Sequence, residues 1–290
     1  MKTTIIPTIR AEHLVKLMKL PNDYDILYPL GNKEGQRFFP DDEVYVRLPD
    51  SVKEIDWRVV VVHSGQSGPS KGLVELQMVL SVLARTKATV EVFFSYFPYS
   101  MQDHASNPGE TNAAEDLVSK LCNYYKVKRI YAIDAHFFGR DWVEKYPITN
   151  VSAVEVLKKA AQAKYPDAVF LAPDAGSQRR ANLKGTQKKR KNSFDICIEC
   201  DDDFKNVVKG KVVGVVDDLV ETGGTVSKFA DECKKFGATD VIALISHGVL
   251  VSGIKRLLTV YSSLYLTNSI KREDSNVDVS GLILDAIVKG

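Results

Sequence analysis

Short apolar runs alternate with longer amphipathic ones along almost the whole chain, and this alternation limits the fold more than any other feature. WRVVVVHS (57–64) reads as a buried strand, and GLVELQMVLSVLARTKA (72–88) carries apolar residues at helical spacing. TVEVFFSYFP (89–98) is a second strand, NAAEDLVSKLCNYYK (112–126) a helix and RIYAIDAH (129–136) a third strand. The second half repeats the pattern: helix 151–165, strand AVFLAPD (168–174), strand KVVGVVDDLV (211–220), helix 225–237 and strand DVIALISHGVL (240–250). Runs of about 4–8 residues rich in Val and Ile, separated by helices, predict parallel sheets in an α/β protein. Two such series predict two similar doubly wound halves, 1–149 and 150–290, with the boundary near PITNV (147–151).

A chain of 290 residues is long for one core and comfortable for two. Its net charge of +2 points to neither a nucleic-acid binder nor a membrane-surface protein, so any anion site must be built locally. No apolar run approaches the ~20 residues that span a bilayer. The N-terminus lacks the pattern of a signal peptide, so a cytoplasmic setting is expected. Of four cysteines only Cys197 and Cys200 form a CxxC. With no second pair and no nearby His this is a poor zinc signal, and CIEC alternates as a strand does.

Polar residues gather at the carboxyl ends of the strands, where doubly wound sheets present ligands. They are His63 and Ser64, Asp134 and His136, Asp174, and the pair Asp217 and Asp218. The last pair stands in VVGVVDDLVETGGTV (212–226), an apolar strand followed by a turn. Gly223 and Gly224 let the backbone turn sharply and point its N–H groups at one spot, and the following helix adds the positive end of its dipole. Thr222 and Thr225 add hydroxyl donors, and Asp217 and Asp218 can accept from vicinal sugar hydroxyls. The stretch therefore reads as a pocket for a phosphorylated ribose. The segment KGTQKKRKNS (184–193) is basic, polar and without periodicity, and reads as a mobile loop.

An apolar strand, DD, a later acid and TGGT resemble the phosphoribosyl diphosphate loop of type I phosphoribosyltransferases and of ribose-phosphate pyrophosphokinases. Further segments resemble the pyrophosphokinases alone. They are RFFPDDEVYVRL (37–48), YFPYSMQDH (96–104), IDAH (133–136), APDAGSQRRA (172–181) and TNSI (267–270). The chain thus resembles a divergent member of that family, and the expected fold is two domains of type I phosphoribosyltransferase-like architecture. The resemblance implies Mg²⁺-dependent transfer of the β,γ-diphosphate of ATP to the anomeric hydroxyl of ribose 5-phosphate, leaving AMP.

It also implies roles residue by residue. Lys188 and Arg190 close over the transferring diphosphate. Asp217, Asp218, Glu221, Thr222, Gly223, Gly224 and Thr225 hold the ribose phosphate. Phe39, Asp41, Glu43, Gln102, Asp103 and His104 hold ATP, the first three from a neighbouring subunit, so at least a homodimer is expected. His136 and Asp174 serve the metal, with His136 acting through water because a nitrogen ligand is unusual for Mg²⁺.

Several positions depart from the family. Asp42 stands for Gly, Met101 and His104 stand for two arginines, and Glu221 stands for Asp. Losing two cations should weaken ATP binding unless Arg140, Arg179 or Arg180 compensate. Three readings stay open: a ribose-phosphate pyrophosphokinase, a relative with a larger acceptor such as ADP-ribose, and a non-catalytic regulatory paralogue. A phosphoribosyltransferase is a fourth, less well supported by the segments.

Overall fold

A computed structural model of the chain describes residues 2–66, 69–174, 176–178, 187–190, 196–199 and 202–290. It divides into two compact units, residues 1–151 with 280–290, and residues 152–279. The first unit carries β1 (Thr3–Pro7), β2 (Tyr24–Ile26), β3 (Arg58–Ser64), β4 (Thr89–Tyr96), β5 (Arg129–Ile133) and β6 (Ile148–Val151). These strands are parallel, in the order β2-β1-β3-β4-β5-β6. Val59, Val60, Val61 and Val62 are all fully buried, so neither side of β3 meets water. This is the physical reason its apolar run is continuous rather than alternating. Helices α1 (Glu12–Val15), α2 (Pro69–Leu83) and α3 (Ala113–Asn123) belong to the same unit, α3 starting where the Asn112 side chain accepts from the Glu115 amide.

The stretch 147–151 contributes β6, the edge strand paired with β5. The C-terminal helix, Ser280–Lys289, belongs to the first unit. Two arginines from the starts of β3 and β5 hold its end: Arg58 Nη1 donates to Ile287 O (2.6 Å) and Arg129 Nη1 to Gly290 O (2.8 Å). Cations at helix C-termini complement the exposed carbonyls.

The second unit contains α4 (Val154–Gln162), β7 (Val169–Leu171), β8 (Gln187–Arg190), β9 (Ile196–Glu199), α5 (Asp202–Val208), β10 (Val212–Val220), α6 (Gly224–Lys235), β11 (Asp240–Gly248), α7 (Val251–Val260) and β12 (Ser263–Leu266). Its main sheet is parallel, in the order β12-β11-β10-β7. β8 and β9 pair separately and antiparallel, with Lys188 opposite Ile198 and Arg190 opposite Ile196. The basic segment expected as a loop is therefore a strand over 187–190. Backbone pairing with β9 needs no apolar periodicity in the partner, which is why the side chains did not announce it. Cys197 lies on β9 as its alternation predicts, while Cys200 lies outside the described residues.

In the first unit an aromatic chain carries the loops that matter below. Phe94, Phe97, Phe137 and Trp142 follow one another at centroid separations of 4.5, 4.9 and 4.9 Å. Phe97 anchors the segment after β4, and Phe137 and Trp142 anchor the segment after β5.

Candidate active site

Each unit presents its own group of candidate residues at the carboxyl ends of its strands. In the first, Phe39, Asp41 and Glu43 lie on a tight hairpin. Phe39 N donates to Glu43 O (2.8 Å), and Asp42 N donates to Phe39 O (2.9 Å). The Asp41 carboxylate accepts the Glu43 amide at 3.1 Å, so it also shapes the turn. Asp42 has φ 70°, a left-handed conformation. That explains the departure from glycine at this position, because Asp is among the few side chains that tolerate left-handed backbone. The Phe39 ring is 41% exposed and stands edge-on to Tyr45 at 5.8 Å. The hairpin is tethered by Arg37, whose Nη2 donates to the buried Glu75 carboxylate (2.8 Å) and whose Nη1 donates to Pro29 O (3.1 Å).

Gln102, Asp103 and His104 follow β4. Gln102 and His104 are exposed, but Asp103 is only 2% exposed and turned inward. Its Oδ2 accepts Arg140 Nε (2.8 Å), its Oδ1 accepts Arg140 Nη2 (3.0 Å), and Oδ1 also meets His104 Nδ1 (2.7 Å). Burial raises the Asp103 carboxyl, but the hydrogen bonds from Arg140 and His104 outweigh it and hold the group below the ordinary aspartate range; the charge of His136 acts in the same direction. The carboxylate expected among the nucleotide contacts is thus occupied by protein. The two loops also share backbone strain, with Tyr99 at φ 57° and Asp134 at φ 35°. Strain of this kind, of order 1–3 kcal/mol per residue, clusters at functional sites.

His63, noted for its place at a strand end, belongs to the core. It is fully buried, its Nδ1 lies 2.9 Å from Thr8 Oγ1, and Phe94 stands edge-on at 5.6 Å. Its Nε2 has no hydrogen-bond partner among the described residues. Burial first, and the positive charge of Arg10 second, lower its pKa to about 3.

In the second unit β10 runs through Asp217 and Asp218, and the pleat turns successive residues to opposite faces. Asp218 is 7% exposed and its amide donates to Asp217 Oδ1 (3.1 Å). Ser177 joins Asp217 to Asp174: its hydroxyl lies 2.6 Å from Asp217 Oδ1 and 3.1 Å from Asp174 Oδ1, while its amide donates to Asp174 Oδ1 (2.9 Å). Burial, followed by repulsion from Asp218, pushes the Asp217 carboxyl well above the ordinary range. Among the described residues no three His, Cys, Asp or Glu side chains are grouped to hold a metal ion, so a hard cation here would take most of its ligands from substrate phosphates and water.

The turn follows directly. Gly223 has φ 72° and caps α6. The first helical hydrogen bond, donated by Ser227 N to Gly223 O (3.0 Å), starts the helix, so the amides just before it have no helical partner. Helix α7 packs close behind: a Cβ on Gly253 would stand 1.9 Å from Glu221 O. Ser177 and Arg256 are the residues here that sequence reasoning missed. Arg256 Nη1 lies 3.6 Å from where a Cβ on Gly224 would sit. Both approach the motif from distant chain positions; Ser177 stands within APDAGSQRRA (172–181) but had no role read for it, and no local signal marks Arg256. Lys188 and Arg190 have their backbone in β8, and Arg179 and Arg180 lie outside the described residues. Among the described residues no helix is long and apolar enough to cross a membrane.

The class that this fold defines is the doubly wound α/β protein with type I phosphoribosyltransferase-like halves. A solved phosphoribosylpyrophosphate synthetase from Mycobacterium smegmatis shares that fold, with TM-score 0.79, 22% identity and coverage of 99% of this chain and 98% of its own. Residues 25–124 match the family model for the N-terminal domain of ribose phosphate pyrophosphokinase. The ribose-phosphate pyrophosphokinase of Fusobacterium nucleatum is 30% identical over 258 residues, covering 83% of this chain and 79% of its own length. That of Pyrococcus abyssi is 28% identical over 264 residues, covering 87% of each. The chain belongs to the ribose-phosphate pyrophosphokinase family.

Proposed function

We propose that the chain transfers the β,γ-diphosphate of ATP to the anomeric hydroxyl of ribose 5-phosphate, giving phosphoribosyl diphosphate and AMP. The observation that carries this reading is the acid-bearing end of β10 leading into a left-handed Gly223 and the start of α6, with Ser177 and Asp174 alongside. Ribose 5-phosphate carries hydroxyls for the acids and a phosphate for the amides.

In this reading the turn 221–225 holds the 5-phosphate, with amides and the Thr222 and Thr225 hydroxyls as donors. Asp217 and Asp218 serve the ribose hydroxyls. Phe39 offers an exposed ring for the adenine, and Glu43 and the turn-forming Asp41 offer acceptors for its amino group. Gln102 and His104 face the nucleotide, while Asp103 acts through Arg140. Lys188 and Arg190 supply charge to the transferring diphosphate, a point charge and a planar fork respectively. Transfer of this kind depends on positioning and charge neutralisation more than on covalent chemistry. Mg²⁺ suits the carboxylate oxygens of Asp174 and its neighbours, with His136 acting through water, and when bound it neutralises phosphate charge. A homo-oligomer in which one copy lends its Phe39 hairpin to another completes the reading.

A second acceptor is favoured by one observation. Arg256 Nη1 lies 3.6 Å from where a Cβ on Gly224 would sit, which puts an additional cation beside the turn for the further phosphate of an acceptor such as ADP-ribose. The experiment is AMP release from ATP and Mg²⁺ with either acceptor. AMP with ribose 5-phosphate supports the first reading, and AMP with ADP-ribose alone supports the second. Nucleotide binding without AMP release from either would show a regulatory protein and overturn both.

A further inference from the structure

The geometry points to Arg140 as a residue that binds the phosphates of the nucleotide, with Asp103 as its positioning partner. This rests on the diphosphotransferase reading above and adds a contact that none of the motifs contains.

Asp103 is a buried carboxylate occupied on both oxygens. It takes the Nε and Nη2 edge of Arg140 at 2.8 and 3.0 Å, and that two-point contact fixes the plane of the guanidinium. The Asp103 backbone is itself held, since Trp142 Nε1 donates to Asp103 O (3.0 Å) and Ala114 N donates to Gln102 O (3.1 Å). On the other side the Arg140 amide donates to Phe137 O (3.0 Å), and the Phe137 ring is fully buried between Phe97 and Trp142. Both ends of the pair are therefore anchored on the aromatic chain.

The Arg140 side chain nevertheless stays 44% exposed. Ion pairs this open add little stability, while a buried carboxylate costs desolvation, so stability alone is a poor reason for the arrangement. What the arrangement does achieve is orientation. The fork is aimed by Asp103, and the Nη1 amine is the part of it that the pair does not engage. The engaged Nη2 also lies 3.1 Å from His104 Nδ1, and His136 is close enough to act on Asp103 electrostatically. The strained residues Tyr99 and Asp134 lie in the same two loops. An oriented N–H fork among exposed Gln102 and His104 suits phosphate oxygens. Because the pair carries no net charge, recognition comes from directed donors, and a lysine can replace it only in part.

The test is calorimetric binding of ATP and of AMP, with Mg²⁺, to the wild-type protein and to Arg140→Met, Arg140→Lys and Asp103→Asn. AMP lacks the outer phosphates, so it reports the base and sugar contacts and the integrity of the fold. Arg140→Met is expected to weaken ATP at least tenfold while AMP changes less than twofold. Arg140→Lys, which keeps a charge beside Asp103, and Asp103→Asn should fall between. Equal weakening of ATP and AMP would reduce the pair to a structural role, and unchanged ATP affinity in Arg140→Met and Arg140→Lys would remove Arg140 from the site. A wild-type protein that binds no ATP would overturn the diphosphotransferase reading and this inference together. Wild-type binding with unaltered variants would overturn this inference alone.

Discussion

The Ser177 hydroxyl lies 2.6 Å from Asp217 Oδ1 and ties the segment after β7 to the end of β10. The same Ser177 Oγ lies 3.1 Å from Asp174 Oδ1, so one hydroxyl bridges two carboxyl groups. Ser177→Ala leaves Asp217 facing Asp174 without that bridge. An internal hydrogen bond contributes roughly 1 kcal/mol, so affinity for ribose 5-phosphate should fall about fivefold. Calorimetry with ribose 5-phosphate checks this, and unchanged affinity would exclude Ser177 from the acceptor site.

Gly253 lies in α7, far in sequence from the phosphate turn, yet an added Cβ would press 1.9 Å from Glu221 O and 2.8 Å from Glu221 C. Gly253→Ala must displace the turn. The expected loss is about 1–3 kcal/mol in urea unfolding, together with weaker ribose 5-phosphate binding. Gly281→Ala in the C-terminal helix is the control, because nothing lies within 4 Å of its added methyl. It should leave binding unchanged and stability equal or higher. Equal behaviour of the two variants would contradict the close packing of α7 on the turn.

His63 makes stability depend on acid. Its folded pKa of about 3 lies below the ordinary 6.5, through burial and then Arg10. The folded protein keeps the ring neutral, whereas the unfolded chain takes up a proton below about pH 6.5. Stability from this group is therefore full above pH 6.5 and is lost toward pH 3, by about 1.4 kcal/mol per unit. His63→Gln should flatten that part of the slope between pH 6 and pH 4, as measured by urea unfolding at each pH. Parallel slopes for both proteins would show that the ring is protonated in the fold.

Lys188→Ala combined with Arg190→Ala removes the charge assigned to the transferring diphosphate. Donors aimed at developing charge contribute about 10²–10³ each, so AMP release should drop by roughly three orders of magnitude or more. The circular dichroism spectrum should stay as in the wild type. Undiminished turnover would take both residues out of the mechanism.

Much of this was legible in local order. The run VVVV of β3 announced a strand hidden on both faces, and the acids before Thr222-Gly223-Gly224-Thr225 announced a strand-to-helix anion turn. Both signals come from neighbours in sequence. β8 was not legible, because a polar strand is made by its partner, β9. The short strands β1 and β12, five and four residues long, offered too few positions for a period to show. The inward turn of Asp103 was not legible, because its partner, the half-exposed Arg140, is 37 positions away. Asp42 read as a departure, and its positive φ shows that it meets the same backbone requirement as glycine.

By itself the sequence determined the class of architecture and the family, since periodicity, turn chemistry and motif order are properties of contiguous residues. Only the tertiary structure decided which polar groups face inward and which remain for a ligand. That choice depends on partners brought together across the chain, as with Arg140 on Asp103, Ser177 on Asp217 and Arg58 on the carbonyl of Ile287, and burial makes each pairing obligatory because an unmatched charge in the interior is costly.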